Sequence, residues 1–150
     1  MIPDFDENGN LPAGVHGASW GDIARKLGWT IRRRELLAGL ESGLDALRKA
    51  GCQRVFLNGS FVTEKEEPGD IDVAWDPEGV DVDRLLDLEP LFGEFANRRT
   101  AQKAKFGCEF FPSSLTADSV GNDFLAFFQI DKETGARKGI VEVKLYRRRS

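Results

Sequence analysis

The sequence predicts a domain of the α/β (α+β) class, built from a small mixed β-sheet flanked by helices. Two observations support this prediction. Leucines recur at helical spacing in one long segment, and short apolar runs bounded by Gly, Pro or Asp indicate strands. The chain has 150 residues and is 41% hydrophobic, enough for one core. We divide it into an N-terminal arm (1–18), the domain (19–146) and a basic tail (147–150).

The arm and the first two helices follow from turn and capping chemistry. The arm is rich in Gly, Pro, Asn and Asp, which favour turns. Ser19 and Asp22 have the spacing of a capping box, which predicts a short helix ending near residue 27. Thr30 can cap a second helix over 31–50, whose first turn would place three arginines, 32–34, at a solvated end.

Two strands are predicted next, joined by a short connection. The apolar run within 53–58 predicts a buried strand that ends at Gly59. A turn or short helix over about 60–65 follows, and Pro68-Gly69 predicts a further turn before the next strand. The second strand is predicted over 70–75.

The second half of the chain predicts two more helical segments and two more strands. Residues 81–105 have helical character, with a break at Pro90 because proline disrupts a helix interior. A third strand is predicted over 108–111, a helix over 120–130 and a last strand over 139–145.

Overall charge and the count of cysteines and histidines exclude several function classes. The formal net charge of −4 gives no sign of a nucleic-acid-binding protein, and we expect no recognition of DNA sequence. The two cysteines read as reduced thiols. His16 is the single histidine, so a zinc site of several His and Cys ligands is nearly excluded. Neither a signal peptide nor a membrane-spanning run is evident, so a cytoplasmic location is expected.

The most informative motif is Gly59-Ser60, followed after nine residues by Asp70-Ile71-Asp72. Residues i and i+2 of a strand point to the same face, so Asp70 and Asp72 should project together. Two carboxylates this close repel each other unless a cation lies between them, and Mg²⁺ prefers such oxygen ligands. Gly59 would let a phosphate approach the backbone, and the Ser60 hydroxyl could donate to a phosphate oxygen.

Each half of this motif also has an ordinary structural interpretation. Gly59-Ser60 alone is typical of a turn that ends a strand, and Asp-x-Asp alone is typical of an edge strand with one face in solvent. The combination, in this order and with apolar flanks, favours a site that binds a nucleoside triphosphate and its metal ions.

The same residues resemble the signature of the DNA polymerase β-like nucleotidyltransferase superfamily. The resemblance covers about residues 53–76 and is closest to the minimal bacterial nucleotidyltransferases of toxin–antitoxin and phage-defence loci. It implies the nucleotidyltransferase fold, in which Gly59 and Ser60 hold the β and γ phosphates and Asp70 and Asp72 bind Mg²⁺.

The resemblance also implies a third metal-binding carboxylate on a later strand. Glu109 and Glu142 both fit, since each is flanked by apolar residues in a predicted strand. We favour Glu109 because it lies on the next strand, although Asp is commoner at this position. Glu142 would then belong to a half-exposed strand and pair with Lys144 on the same face.

A basic run precedes the third strand, at Arg98, Arg99, Lys103 and Lys105. A solvated helix face is the commoner explanation for such a run, and we prefer it here. If the run contacts a triphosphate or an RNA backbone, Lys103 and Lys105 are the better candidates because they lie nearest Glu109.

The expected activity is transfer of a nucleoside monophosphate from an NTP, with Mg²⁺ as cofactor. By resemblance, the acceptor would be a protein hydroxyl or an RNA 3′ end, and a cognate toxin or antitoxin would be a partner. The alternative is a module without turnover, such as an antitoxin that binds nucleotide or protein through the same fold.

Overall fold

The computed structural model describes residues 2–94, 96–131 and 134–145, and for 96–98 it describes the backbone alone. The basic tail and the Arg98 side chain therefore lie outside the described part. Five strands are described: β1 (Gly14–Ala18), β2 (Arg54–Asn58), β3 (Ile71–Trp75), β4 (Cys108–Pro112) and β5 (Gly139–Lys144). They form one mixed sheet in the order β1-β5-β2-β3-β4, which confirms the predicted α/β class. β2 is antiparallel to both of its neighbours, whereas β1 runs parallel to β5 and β3 parallel to β4.

The helices of the described part are α1 (Trp20–Leu27), α2 (Ile31–Lys49), α3 (Val82–Leu88), α4 (Ala96–Phe106) and the single turn α5 (Phe124–Phe127), with 3₁₀ turns at Gly59–Val62 and Pro90–Gly93. The capping predictions are confirmed: Ser19 and Asp22 form a capping box, and Thr30 accepts a hydrogen bond from the Arg33 amide. None of the described helices is both long enough and apolar enough to cross a membrane.

Two predictions of secondary structure are wrong. The N-terminal arm contains β1, whose only partner in the described sheet is β5 at the other end of the chain. The helix predicted over 120–130 is reduced to α5. Asp118 accepts hydrogen bonds from the amides of Val120 and Asn122, which holds this segment in a loop until Asp123 caps α5.

One face of the sheet is covered by helices and forms the main core. Leucines of α2 pack on this face together with residues of α1, α3 and α4. α2 approaches closely because it has glycines at two contact points. A Cβ on Gly39 would lie 2.0 Å from the Phe106 carbonyl oxygen, and one on Gly43 would lie 2.4 Å from the Phe110 ring.

The opposite face is divided between an apolar and a polar half. Its apolar half is a smaller cluster that includes Phe56, Phe111 and Phe128. Strand alternation places Asn58 on the same face as Phe56, and Glu109 on the same face as Phe111. The polar half lies where β2 ends and where β3 and β4 begin.

The arginines at the start of α2 form the predicted solvated end only in part: Arg34 is exposed, whereas Arg33 is not. Arg33 is fully buried and stacks on Trp29, with its guanidinium carbon 3.6 Å from the ring centroid. Burial lowers the pKa of Arg33 to about 10, so the side chain remains charged at neutral pH. The error has a simple cause: the partners of Arg33 are backbone carbonyls, which a pattern of side chains does not reveal.

Candidate metal and nucleotide site

Three carboxylates predicted from the sequence meet at the polar half of the open face. Asp72 in β3 and Glu109 in β4 are paired directly across the two strands. Asp70 precedes β3 by one residue, so the predicted strand begins one position too early. One carboxylate oxygen from each of the three lies within 4.8 Å of the other two.

Asn58 adds a neutral oxygen beside this triad, and sequence reasoning missed it. It is the last residue of β2 and is paired with Asp72 across the sheet. The side chain is fully buried, and its amide nitrogen donates to the Phe56 carbonyl at 3.2 Å. Its Oδ1 atom has no hydrogen-bond partner among the described residues. A buried oxygen without a donor is costly unless a cation or another ligand satisfies it.

Gly59 is required by its closeness to the triad. Its φ is +79°, a conformation that L side chains rarely adopt. A Cβ at this position would lie 2.5 Å from the Asp72 Oδ2 atom, well inside van der Waals contact. The backbone of the Gly59–Val62 turn therefore lies directly against one carboxylate of the triad.

The two candidate lysines of α4 have different partners. The Lys103 ammonium lies 2.9 Å from Glu109 Oε1 and 3.8 Å from Asp70 Oδ2, so the structure brings it to the triad. Lys105 instead pairs with Glu89. Its predicted role in nucleotide binding stays a prediction with no contact to the triad.

The electrostatics of the triad disfavour the charged form of Asp70. Burial raises the pKa of Asp70, and the neighbouring Glu109 carboxylate raises it further by charge repulsion and a hydrogen bond. The charges of Lys103 and Arg32 offset only part of this effect. Bonding to Glu109 in turn raises the pKa of Lys103, which keeps the ammonium protonated.

A cavity of about 380 Å³ opens beside the triad, within the size range of small-molecule sites. Asp72 and the predicted phosphate-binding pair Gly59-Ser60 line one side of it. Residues that sequence reasoning missed complete the wall, among them Asn10 of the arm, Phe127 and Lys138. The signal that could have found Lys138 is weak, because it is one lysine in a polar turn.

A second cavity and two residues considered in the sequence analysis, Glu142 and His16, lie apart from the triad. A larger cavity of about 640 Å³ lies between α2 and the end of β5, and none of the predicted site residues lines it. The alternative third carboxylate, Glu142, pairs with Arg54 at 3.4 Å, not with Lys144 as predicted. His16 has its Nε2 atom 2.6 Å from the Pro12 carbonyl oxygen and does not line the triad-side cavity.

Comparison with known proteins identifies a family and no characterised relative. The model of a family of unknown function, DUF6932, matches residues 3–144, and the chain belongs to this family. No curated protein and no solved structure matches the chain.

Proposed function

We propose that the chain is a Mg²⁺-dependent nucleotidyltransferase with the nucleotidyltransferase fold. It would move the NMP group of an NTP to a protein hydroxyl or an RNA 3′ end. The observation that supports this proposal is the meeting of Asp70, Asp72 and Glu109, of which Asp72 also lines a cavity together with Gly59 and Ser60. The motif alone predicts the two aspartates as a pair, whereas the third carboxylate depends on strand register.

The donor set fits a hard divalent cation. Carboxylate oxygens within 4.8 Å of one another can coordinate one Mg²⁺ ion together, at the distances that this ion requires. The unpartnered Asn58 Oδ1 is an additional oxygen of the type that such ions accept. When bound there, Mg²⁺ would neutralise phosphate charge and lower the pKa of the acceptor hydroxyl.

The remaining steps belong to residues of the chain. Ser60 donates its hydroxyl to a phosphate oxygen, and Lys138 offers a positive charge in the wall of the same cavity. The acceptor oxygen forms a bond to the α-phosphorus, the bond to the bridging oxygen breaks, and pyrophosphate leaves. Glu109 has a carboxylate oxygen within 4.8 Å of both aspartates, and a carboxylate there can take the proton of the acceptor.

The test is transfer of label from each α-³²P NTP into host-cell extract in the presence of Mg²⁺. Wild-type protein is compared with Asp70→Asn, Asp72→Asn and Glu109→Gln. Glu142→Gln is the matched control, because the Glu109 and Glu142 side chains are each 16% exposed and face the same side of the sheet. Label transferred by wild type and Glu142→Gln alone supports the proposal, and the labelled band identifies the acceptor.

Absence of transfer with every NTP, from a folded protein, would contradict the proposed activity. The alternative would then be an antitoxin-like module that binds nucleotide or a protein partner without turnover. A cognate toxin or antitoxin is a partner only by resemblance, and copurification from the source cell tests it.

A further inference from the structure

The first turn of α2 holds a segment that we call the connector, residues 61–69, which begins within the Gly59–Val62 turn and leads to Asp70. The Thr30 hydroxyl and the Arg32 and Arg33 guanidinium groups all donate to main-chain carbonyls of this connector. The acceptors are the carbonyl oxygens of Phe61, Thr63, Lys65, Glu66, Pro68 and Gly69.

Arg33 fixes the first half of the connector. All five of its N–H groups donate to carbonyls, at 2.6 to 3.1 Å, and one of these acceptors is Thr63. A trans peptide directs its N–H opposite to its carbonyl. The Glu64 amide accordingly donates to the Gly9 carbonyl of the arm at 2.9 Å, so this peptide is held from both sides.

The second half of the connector leads directly to Asp70 and is held by Arg32. Asp70 lies outside the paired residues of β3, so strand pairing does not fix it. The Arg32 Nη2 atom donates to the Gly69 carbonyl at 2.7 Å, and Nε donates to the Pro68 carbonyl at 3.2 Å. Gly69 has no Cβ, and open space surrounds the place a Cβ would take, so packing at this residue restrains the peptide little.

We propose that Arg32 is a positioning residue for Asp70. It holds the Gly69–Asp70 peptide so that the Asp70 carboxylate stays beside Asp72 and Glu109. This inference rests on the proposed function in one respect, namely that the triad binds a divalent cation.

Charge and position predict opposite effects when Arg32 is removed. The positive charge of Arg32 lies near enough to act on Asp70 and therefore repels a cation at the triad. If only this charge mattered, removing it would strengthen cation binding. If Arg32 positions Asp70, removing it weakens cation binding although a repulsive charge has gone.

The experiment is calorimetric titration of Mn²⁺, used as a probe for Mg²⁺, into wild type, Arg32→Ala and the matched control Arg34→Ala. Arg34 lies two positions further along α2 and donates to the Gly28 carbonyl; among the described residues it makes no hydrogen bond to the connector. We expect Arg32→Ala to bind Mn²⁺ about tenfold more weakly, as for other residues that orient ligands. Arg34→Ala should bind like wild type, and thermal unfolding without metal should show both variants folded.

Unchanged or tighter Mn²⁺ binding by folded Arg32→Ala would overturn the inference and leave the proposed function standing. If Arg32→Ala does not fold, Arg32→Lys replaces it, since lysine keeps the charge but cannot donate to both carbonyls as a planar fork. Weaker binding by Arg32→Lys supports the inference, and wild-type affinity overturns it. A wild-type protein that binds no Mn²⁺ would overturn both the inference and the metal site, whereas binding without nucleotide transfer would overturn only the proposed activity.

Discussion

Strand β3 has an aspartate immediately before it and another immediately after it, and their environments are opposite. At the far end, burial acts to raise the pKa of Asp76, but hydrogen bonds from Arg54 and the Glu78 amide outweigh burial and lower it. At the near end, burial and Glu109 raise the pKa of Asp70. The surroundings therefore stabilise the charged form of the aspartate at one end of the strand and destabilise the charged form of the aspartate at the other.

The difference lies in how many acids share each cation. Arg54 pairs with both Asp76 and Glu142, so one cation serves two acids. Lys103 pairs with Asp70 and Glu109 of the triad. Because these carboxylates are partly buried, one cation offsets their mutual repulsion only in part. Perturbed titratable groups of this kind cluster at functional sites. The comparison therefore supports the proposed functional role of the Asp70 end of β3 and favours a structural role for the Asp76 end.

The largest difference between the two ends of β3 is expected from a pair of glycine substitutions. Gly59→Ala and Gly79→Ala place a Cβ at φ values of +79° and +76°, so both incur a similar backbone strain of about 1 kcal/mol. Only Gly59→Ala drives the Cβ to 2.5 Å from Asp72, whereas the nearest atom at Gly79 is 3.6 Å away. We expect nucleotide transfer to fall more than about a hundredfold in Gly59→Ala, beyond the usual effect of a supporting residue. Equal transfer rates for both variants would contradict this assignment.

Added Mg²⁺ should stabilise the protein through the Asp70 end alone. Binding to the native state at tenfold excess over Kd raises the free energy of unfolding by about 1.4 kcal/mol. Asp70→Asn should lose this increment. Asp76→Asn should lower the baseline stability, because it loses the Arg54 bond, and keep the increment. Thermal unfolding with Mg²⁺ and with EDTA measures both, and an increment retained in Asp70→Asn would count against the triad.

The two aspartates should also give opposite slopes of stability against pH in EDTA. Because the native pKa of Asp70 lies above the ordinary value of 3.8, the native state binds more protons there, and stability falls as pH rises from 3.8 through the native pKa. The native pKa of Asp76 lies below 3.8, so its contribution is complete above 3.8 and is lost as pH falls through the native pKa. Urea unfolding of wild type, Asp70→Asn and Asp76→Asn across acidic pH resolves these slopes. A slope unchanged by Asp70→Asn would show that its carboxylate is not perturbed.

The smallest effect is expected from Arg54→Gln. Arg54 is 47% exposed on its side chain, so its ion pairs with Asp76 and Glu142 should contribute less than about 1 kcal/mol to the free energy of unfolding. Nucleotide transfer should not change, since Arg54 is not part of the triad. A loss of transfer would mean that the Asp76 end belongs to the functional site.

Local patterns were sufficient to predict most of the elements and two of the three carboxylates of the triad. Capping residues and apolar spacing predict α1 and α2 because those signals lie within one turn of each helix. The Asp-x-Asp pair is equally local. The choice between Glu109 and Glu142 is not, because both alternate with apolar neighbours and only the pairing of β3 with β4 brings Glu109 beside Asp72.

The features that the sequence did not predict depend on the backbone or on distant contacts. Arg33 looks like a solvent-exposed charge until the carbonyls of the connector are in place around it. Lys138 and Asn10 reach the cavity from opposite ends of the described chain. The 120–130 helix fails because Gly121 has a φ of +88° and the Phe124 amide donates to the distant Leu115 carbonyl and not to the carbonyl of residue 120.

Pairing of β1 with β5 sets an order of assembly for the site. β3 and β4, which carry Asp72 and Glu109, and β2, which carries Asn58, all precede β5 in the chain, so they can pair before β5 is synthesised. β1 must wait for β5, its only partner in the described sheet, and closing so long a loop is entropically slow. The arm residue Asn10 is bridged to Thr63 but also donates to Asp131, so the wall of the cavity is complete only once the segment before β5 has folded. A nascent chain would hold its acidic cluster well before it holds the wall that encloses a ligand.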